Sequence, residues 1–382
     1  MRFASFFHAG FECATGSNKN GHWIDQIAAT QHERFVDQDY AAASAAGLKT
    51  VREGVRWPLV DKGKGYDFRS VTPFIRSAQR HEMQPIWDLF HYGYPADLDP
   101  FSDAFVERFA NYCGEAAAFL KARMDGPLFF TPVNEPSYFA WAGGEACHFA
   151  PYLCGRAYDL KVQLIRAAIR GIDAIWSVCP DAVIVNADPV CRQVVPRDMP
   201  HLEEEVRRFN EVAVFEAYDI LSGKLLPELG GSPKHLGVVG INYYWTNQWE
   251  IGRPLEPLVP DDDRLWTLRD IVRWTWHRYG QEIAITETSH WGDNRGPWLR
   301  TVAEDVEAIL NEGIPLRGVC LYPVLGMPEW HDRTEWAHMG LWDVKPDWRG
   351  ALRRSLHKPM YDALREAQER LEPVILESPE RV

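Results

Sequence analysis

Short apolar segments rich in Val, Ile, Phe and Tyr recur eight times along the chain, and this repeat limits its possible folds most strongly. The segments are residues 3–11, 50–57, 84–91, 128–134, 182–189, 236–244, 282–288 and 318–325. Segments that are mostly apolar, without strict alternation, are typical of parallel strands that are covered by helices. We therefore predict eight buried parallel strands.

Stretches with helical periodicity lie between these strands, at residues 35–48, 102–120, 157–176, 203–223 and 300–313. Gly47, Gly223 and Gly313 stand where a helix needs a left-handed residue before the next strand. Since eight parallel strands close readily, we predict an α/β fold of the (β/α)8 TIM barrel type. A single domain over residues 1–372 and a C-terminal tail over 373–382 are expected, and an open sheet is the alternative.

Charge and hydropathy exclude several classes of partner. The formal net charge is -13 and no block of Lys or Arg occurs, so nucleic acid is not an expected partner. No apolar run approaches the ~20 residues of a membrane helix, and His8, Gly10 and Glu12 interrupt the N-terminal segment before a signal-peptide core forms. We expect a cytoplasmic protein without a membrane partner, and its oligomeric state stays open.

The seven cysteines are an odd number spread over a long chain, which indicates small buried residues in a reducing compartment. Cys147, His148 and Cys154 form the one local cluster. Their spacing lacks the paired short intervals of a zinc site, so loop packing is favoured over metal binding. No glycine-rich phosphate loop opens a helix either. We expect neither a metal nor another cofactor.

Polar residues gather at the ends of the predicted strands, which is where TIM barrels place their active sites. They are Glu12, Arg52, Glu53, Arg56, His91, Asn134, Glu135, Asn242, Tyr244, Glu287, Glu329 and Trp330. Glu53 and Arg56 alternate on the second strand and form a charged pair. An ion pair between them, of little functional weight, and a contact with the substrate are about equally expected.

Glu135 ends the fourth strand and Glu287 lies on the seventh, so the two side chains face each other across the barrel mouth. Because burial of a carboxylate is costly, two of them at one cavity suggest function. Singly, Glu135 could instead cap the helix that begins at Pro136, and Glu287 could bind loop amides. Two glutamates around one bond suit glycoside hydrolysis, in which retaining enzymes hold the carboxyl groups roughly 5 to 5.5 Å apart.

Several segments resemble family 1 β-glycosidases of the clan A glycoside hydrolases. TPVNEPS at 131–137 is similar to their acid/base strand, and ITETS at 285–289 is similar to their nucleophile strand. Further similar segments are residues 39–57, LFHYGYP at 89–95, GINYY at 240–244, and the stretch from Tyr322 to Glu329 and Trp330. The resemblance covers most of the barrel in the family's order.

This resemblance implies a two-step mechanism with Glu287 as nucleophile and Glu135 as general acid and base, and we expect the pKa of Glu135 to be raised. Asn134 is expected to bind the sugar 2-hydroxyl group. Arg52 and Tyr244 are expected to orient Glu287 and keep it ionised, with Tyr244 also near the sugar.

The resemblance also implies that His91, Glu329 and Trp330 hold the non-reducing sugar, together with Glu12, which replaces a glutamine of the family. Tyr322, Gly326 and Met327 stand where the family has Trp, Asp and Asn. The acidic pocket favours a neutral sugar over a phosphorylated one. We predict exo-acting, β-glucosidase-like hydrolysis of a small-molecule or oligosaccharide β-glycoside. The alternatives are a sugar-binding barrel without catalysis and an endo-acting clan A glycanase or transglycosidase.

Overall fold

A closed barrel of eight parallel strands forms the centre of the molecule, as the computed structural model of residues 2–253 and 256–377 shows. The barrel strands are β1 (Phe7–Gly10), β2 (Thr50–Gly54), β3 (Gln84–Asp88), β4 (Phe129–Thr131), β5 (Val183–Pro189), β6 (Val238–Asn242), β7 (Ile283–Thr288) and β8 (Leu316–Leu321). Neighbours along the chain pair in order, and β1 closes the barrel on β8. The predicted TIM barrel is confirmed, and the open-sheet alternative is excluded.

Helices cover the outside of the barrel. They are Gln26–Ala29, His32–Ala45, Trp57–Val60, Thr72–His81, Asp103–Lys121, Pro136–Gly144, Ala157–Val178, Glu203–Glu211, Glu216–Leu221, Leu268–Tyr279, Arg295–Asn311 and Lys358–Glu377. Short 3-10 turns lie at Phe68–Ser70, Pro200–Leu202, Ala213–Phe215, Pro227–Leu229, Pro233–Leu236 and Gly292–Asn294. No helix in these described parts of the chain has the length and apolar character needed to cross a membrane.

Small paired strands decorate the loops around the barrel. They are Thr15–Ser17 with Trp23–Asp25, Arg192–Val194 with Gln248–Glu250, Met327–Pro328 with Trp336–Ala337, and Trp342–Pro346 with Leu352–Leu356. The first and third of these pairs belong to the loops that follow β1 and β8. These loops carry Glu12, Glu329 and Trp330 and therefore border the mouth of the barrel.

The five predicted helical stretches are helical, with one internal break. The stretch 203–223 breaks at Val212, whose backbone leaves the helical region so that Val214 and Phe215 turn into the core. Gly47, Gly223 and Gly313 all adopt positive φ, as predicted for residues that end helices. The helix Lys358–Glu377 continues past residue 372, the predicted end of the barrel domain, and residues 378–382 lie outside the described part.

Two apolar cores hold the barrel together. A small cluster fills the barrel interior at its floor and contains Phe3, Ile86, Phe129, Val185, Val238 and Ala284. A larger cluster fills the space between strands and helices. The helix Asp103–Lys121 shows why these segments are helical: Ser102 caps its first turn, and Phe105, Phe109 and Tyr112 recur on its buried face. Because the floor is apolar, the polar strand residues collect at the opposite end.

A buried ion cluster outside the barrel ties three chain segments together. The imidazole of His32 lies 2.7 Å from Asp39 and 2.9 Å from Glu53, and Tyr40 also donates to Glu53. Arg354 binds both oxygens of Asp39 from the distant hairpin. Burial alone would lower the pKa of His32, but the two carboxylates outweigh burial and raise it to about 9. His32 is therefore a cation at neutral pH.

We predict that this cluster makes stability depend on pH. A folded pKa above the unfolded value of 6.5 stabilises the fold fully below pH 6.5, and this contribution is lost as the pH rises through about 9. His32→Gln should lower the free energy of unfolding. This loss, relative to the wild type, should be roughly 3 kcal/mol larger at pH 6 than at pH 10. Chemical denaturation at both pH values measures this. A difference between the two proteins that does not vary with pH would contradict the assignment.

Candidate active site

Every barrel strand delivers at least one polar or aromatic residue to the same end of the barrel, where the strands end. In strand order these residues are Glu12, Arg52, Asp88 with His91, Asn134 with Glu135, Asp188, Asn242 with Tyr244, Glu287, and Tyr322 with Glu329 and Trp330. Most of them are buried. Polar side chains therefore gather at this end of the barrel.

Glu287 lies on β7 between two donors. One carboxylate oxygen accepts a bond of 2.6 Å from Nη1 of Arg52 and the other accepts a bond of 2.8 Å from the hydroxyl group of Tyr244. A guanidinium and a phenol that donate to the two oxygens of one carboxylate fix its rotation. The two residues expected to orient Glu287 are thus in direct contact with it.

Arg52 reaches three side-chain acceptors from the middle of the barrel. Its Nη2 atom donates to Asp88 at 2.6 Å and to Asn134 at 2.5 Å, while Nη1 binds Glu287. The aromatic ring of Tyr322 lies 5.0 Å from the guanidinium carbon and covers one of its faces. The planar fork of arginine is suited to this role because it binds several oxygens in one plane.

Glu135 begins the helix Pro136–Gly144 and adopts a left-handed backbone with φ of 45°. Its carboxyl oxygens accept bonds of 2.8 Å from Asn242 and 2.6 Å from the hydroxyl group of Tyr92. Burial, together with the nearby charge of Glu287, raises the pKa of Glu135 to about 8. Glu135 therefore carries a proton at neutral pH, in agreement with the expected direction.

Asn242 connects the two glutamates. In the pairing of β6 with β7 it lies opposite Glu287, and its amide nitrogen donates to Glu135. The hydroxyl group of Thr286 donates to the amide oxygen of Asn242 at 2.6 Å, which fixes the orientation of the amide. Glu287 lies near enough for its charge to act on Glu135, so the two carboxyl groups belong to one site.

The alternative roles of the two glutamates do not match these contacts. Glu135 occupies the N-cap position, but its side chain makes no capping hydrogen bond to the helix Pro136–Gly144. Glu287 binds Arg52 and Tyr244 rather than loop amides. Both side chains point instead into the shared cluster.

Glu12, His91 and Asn134 form one hydrogen-bonded group beside Arg52. The Nδ1 atom of His91 lies 3.0 Å from Asp88, and its Nε2 atom lies 3.0 Å from the Asn134 amide nitrogen and 3.5 Å from Glu12. Glu12 also accepts from the backbone nitrogen of Ala14. Asn134 is fully buried, and both of its polar atoms face protein partners, so its expected contact with a sugar hydroxyl stays a prediction.

Glu329 and Trp330 lie in the loop that follows β8, and this loop reaches the site next to Tyr92. The side chain of Glu329 accepts from the backbone nitrogen of Trp330. The Trp330 ring packs against Tyr92, Tyr138 and Phe149, and its indole nitrogen has no hydrogen-bond partner among the described residues.

The sequence analysis did not single out Asp88, Tyr92 or Asp188. Asp88 is the last residue of β3, and Asp188 lies near the end of β5, so the search for polar residues at strand ends applies to both. Asp188 accepts from the backbone nitrogen and the hydroxyl group of Ser137 and thereby holds the first turn after Glu135. Tyr92 lies in a loop, and nothing in its sequence neighbourhood indicates its contact with Glu135.

Three buried side chains near the site have the elements of a metal site. Ligand atoms of Cys13, Asp88 and His91 lie within 4.8 Å of one another. However, the Arg52 cation already binds Asp88, and the Sγ atom of Cys13 lies within hydrogen-bonding distance of His91, at 3.2 Å. These residues fit a hydrogen-bonded cluster better than a metal site.

The cluster of Cys147, His148 and Cys154 makes local contacts in the segment that follows β4. Cys147 approaches the Leu153 carbonyl group, and Cys154 approaches Glu145. His148 packs on Trp141, so the contacts of the cluster agree with the predicted loop packing.

The interpretation of Glu53 and Arg56 as one ion pair or as a substrate contact is wrong. Glu53 binds His32 and Tyr40, whereas Arg56 binds Asp25 and Glu33. The two side chains turn to different partners because Glu53 lies within β2 and points outward, while Arg56 follows the strand in a loop.

Comparison with solved structures gives the same architecture. The chain is similar to a β-glucosidase from Thermotoga maritima in complex with deoxynojirimycin, with a TM-score of 0.76 and 16% identity over 96% of this chain and 98% of that chain. A structure described as a family 1 β-glucosidase from the same organism gives 0.75 at 16% identity, and its complex with noeuromycin gives 0.74 at 17%, both with the same coverage. The chain shares the fold of these enzymes. No protein-family model and no curated protein sequence matches it.

Proposed function

We propose that this protein is a retaining β-glycosidase that hydrolyses a neutral β-linked glycoside from its non-reducing end, in the manner of a β-glucosidase. The observation that carries the proposal is that the two glutamates of one site have different surroundings. Glu287 is held by a cation and a phenol, whereas Glu135 is buried and keeps its proton. Such a pair supplies a nucleophile and an acid in one site.

In the first step, a carboxylate oxygen of Glu287 attacks the anomeric carbon, and the bond from that carbon to the leaving oxygen breaks. Glu135 donates its proton to this oxygen as the bond breaks. The products are a glycosyl ester on Glu287 and the free alcohol. Arg52 and Tyr244 hold the attacking group in one orientation, which lowers the entropic part of the barrier.

In the second step, water attacks the same carbon and releases Glu287, while Glu135 accepts a proton from the water. The charge of Glu287 contributes to the raised pKa of Glu135, and this charge is absent while Glu287 is esterified. The pKa of Glu135 therefore falls in the intermediate, and the same residue changes from acid to base. Two carboxyl groups complete the reaction without a cofactor.

The charges around the site support a neutral substrate. Both terminal nitrogens of Arg52 are bound to protein acceptors, and His91 is placed between Asp88 and Glu12, so neither side chain is free to bind an anionic sugar substituent. Glu329 adds a further carboxyl group in the loop after β8.

The first prediction from this function concerns pH. The rate constant kcat/KM for an aryl β-glycoside with a poor leaving group should fall on the alkaline side near pH 8, because Glu135 loses the proton that it must donate. Glu135→Gln should lower this constant by about 10²- to 10⁴-fold and remove the alkaline limb. A pH profile that keeps its shape in the variant would refute the assignment of Glu135.

The second prediction concerns the nucleophile. Glu287→Ala removes the attacking carboxylate, and added azide can enter the space and attack from the same face. Incubation of this variant with an activated β-glycoside and azide should yield the α-glycosyl azide, which NMR identifies by its anomeric coupling. Formation of the β-azide would exclude Glu287 as the nucleophile, and the sugar-binding alternative predicts no product from the wild type or the variant.

A further inference from the structure

The hydroxyl group of Tyr92 donates a hydrogen bond of 2.6 Å to Glu135, and both residues are buried. Tyr92 has φ of 72° and Glu135 has φ of 45°, so each lies in the left-handed region that residues other than glycine rarely adopt. Strained backbone of this kind costs about 1 to 3 kcal/mol per residue and persists where the surroundings enforce it. Two strained residues that bind each other at one site indicate a functional contact.

The loop around Tyr92 is clamped against the loop that follows β1. The backbone nitrogen of Thr15 donates to the carbonyl oxygen of His91 at 3.1 Å. A β-carbon at Gly93 would lie 2.3 Å from the hydroxyl oxygen of Thr15, so only glycine allows this approach. The position of Tyr92 is thus set by the fold and does not depend on its bond to Glu135.

The ring of Tyr92 is also held on several sides. It stacks on Phe139 at 5.6 Å with an angle of 7°, meets Trp330 edge to face at 5.6 Å, and contacts Phe149 at 5.3 Å. Phe139 belongs to the helix that begins after Glu135. The phenol is therefore a rigid donor whose direction is fixed before a substrate binds.

A phenol that donates to a carboxylate stabilises its ionised form. Tyr92 binds one oxygen of Glu135 and Asn242 binds the other, so both oxygens have a donor when Glu135 is ionised. The ionised form is the one that must accept a proton from water in the second step. The first step, in contrast, needs the protonated form.

We propose that Tyr92 is a further positioning residue of this site, which holds ionised Glu135 in place for the attack of water on the glycosyl intermediate. The inference rests on the proposed function. Tyr92 keeps its own proton throughout, and the water proton passes to Glu135 while the ester bond to Glu287 breaks. Other groups that bear on this pair are Asp188, whose charge reaches Glu135, and Tyr138, whose ring contacts Tyr92.

Tyr92→Phe tests the inference, with Tyr94→Phe as the matched control in the same loop, where the ring packs against Phe105. The carboxyl titration of Glu135, followed by ¹³C NMR and assigned by its loss in Glu135→Gln, needs no turnover. Its pKa should rise by about one unit in Tyr92→Phe, because a donor to the charged form is lost, and should stay unchanged in Tyr94→Phe. A pKa that is unchanged or lowered in Tyr92→Phe would overturn the inference.

Kinetics with 2,4-dinitrophenyl β-glucoside separates the two steps, since this leaving group needs no acid and the second step limits kcat. In Tyr92→Phe, kcat should fall about tenfold while kcat/KM stays within about twofold. Equal losses in both constants would indicate general misfolding of the site and contradict the inference. A wild type that turns over no glycoside refutes the proposed function instead, and the NMR titration still decides the contact.

Discussion

The hydrogen bonds of Arg52 hold the polar end of the barrel together, and the rest of the site depends on them. A single guanidinium on β2 binds Asp88 from β3, Asn134 after β4 and Glu287 on β7, all inside the barrel. A buried cation of this kind is tolerated because three acceptors and an aromatic face surround it. Removal of Arg52 would leave buried carboxylates without compensation, which commonly costs about 3 to 5 kcal/mol. The barrel and its polar end are thus stabilised together.

The same arrangement gives two chemically identical side chains different protonation states. Glu287 faces Arg52, whereas Glu135 lies on the opposite side of Asn242 and has only neutral donors, Asn242 and Tyr92. Burial and the charge of Glu287 then raise the pKa of Glu135. The different surroundings of the two side chains create this difference, and the proposed reaction uses it.

The barrel was predictable from the sequence because its strands are buried on both faces and are therefore mostly apolar. The rule that polar residues end such strands also located Glu135 and Glu287. The break at Val212 was missed because it depends on packing of Val214 and Phe215, which local periodicity does not reveal. The partners of Glu53 and Arg56 were missed for a similar reason, since they come from distant segments.

Tyr92 shows the limit of sequence patterns most clearly. Its contact with Glu135 requires a left-handed backbone at Tyr92, and the close approach of Gly93 to Thr15 holds this loop in place. Neither feature can be read from local sequence patterns.

The central claim is that Glu287 becomes esterified by the sugar. Mass spectrometry of the protein after incubation with 2,4-dinitrophenyl 2-deoxy-2-fluoro-β-glucoside tests it directly. The account predicts one sugar label, carried by the peptide that contains Glu287. A label on another side chain, or an unlabelled protein that still hydrolyses the parent β-glucoside, would contradict it.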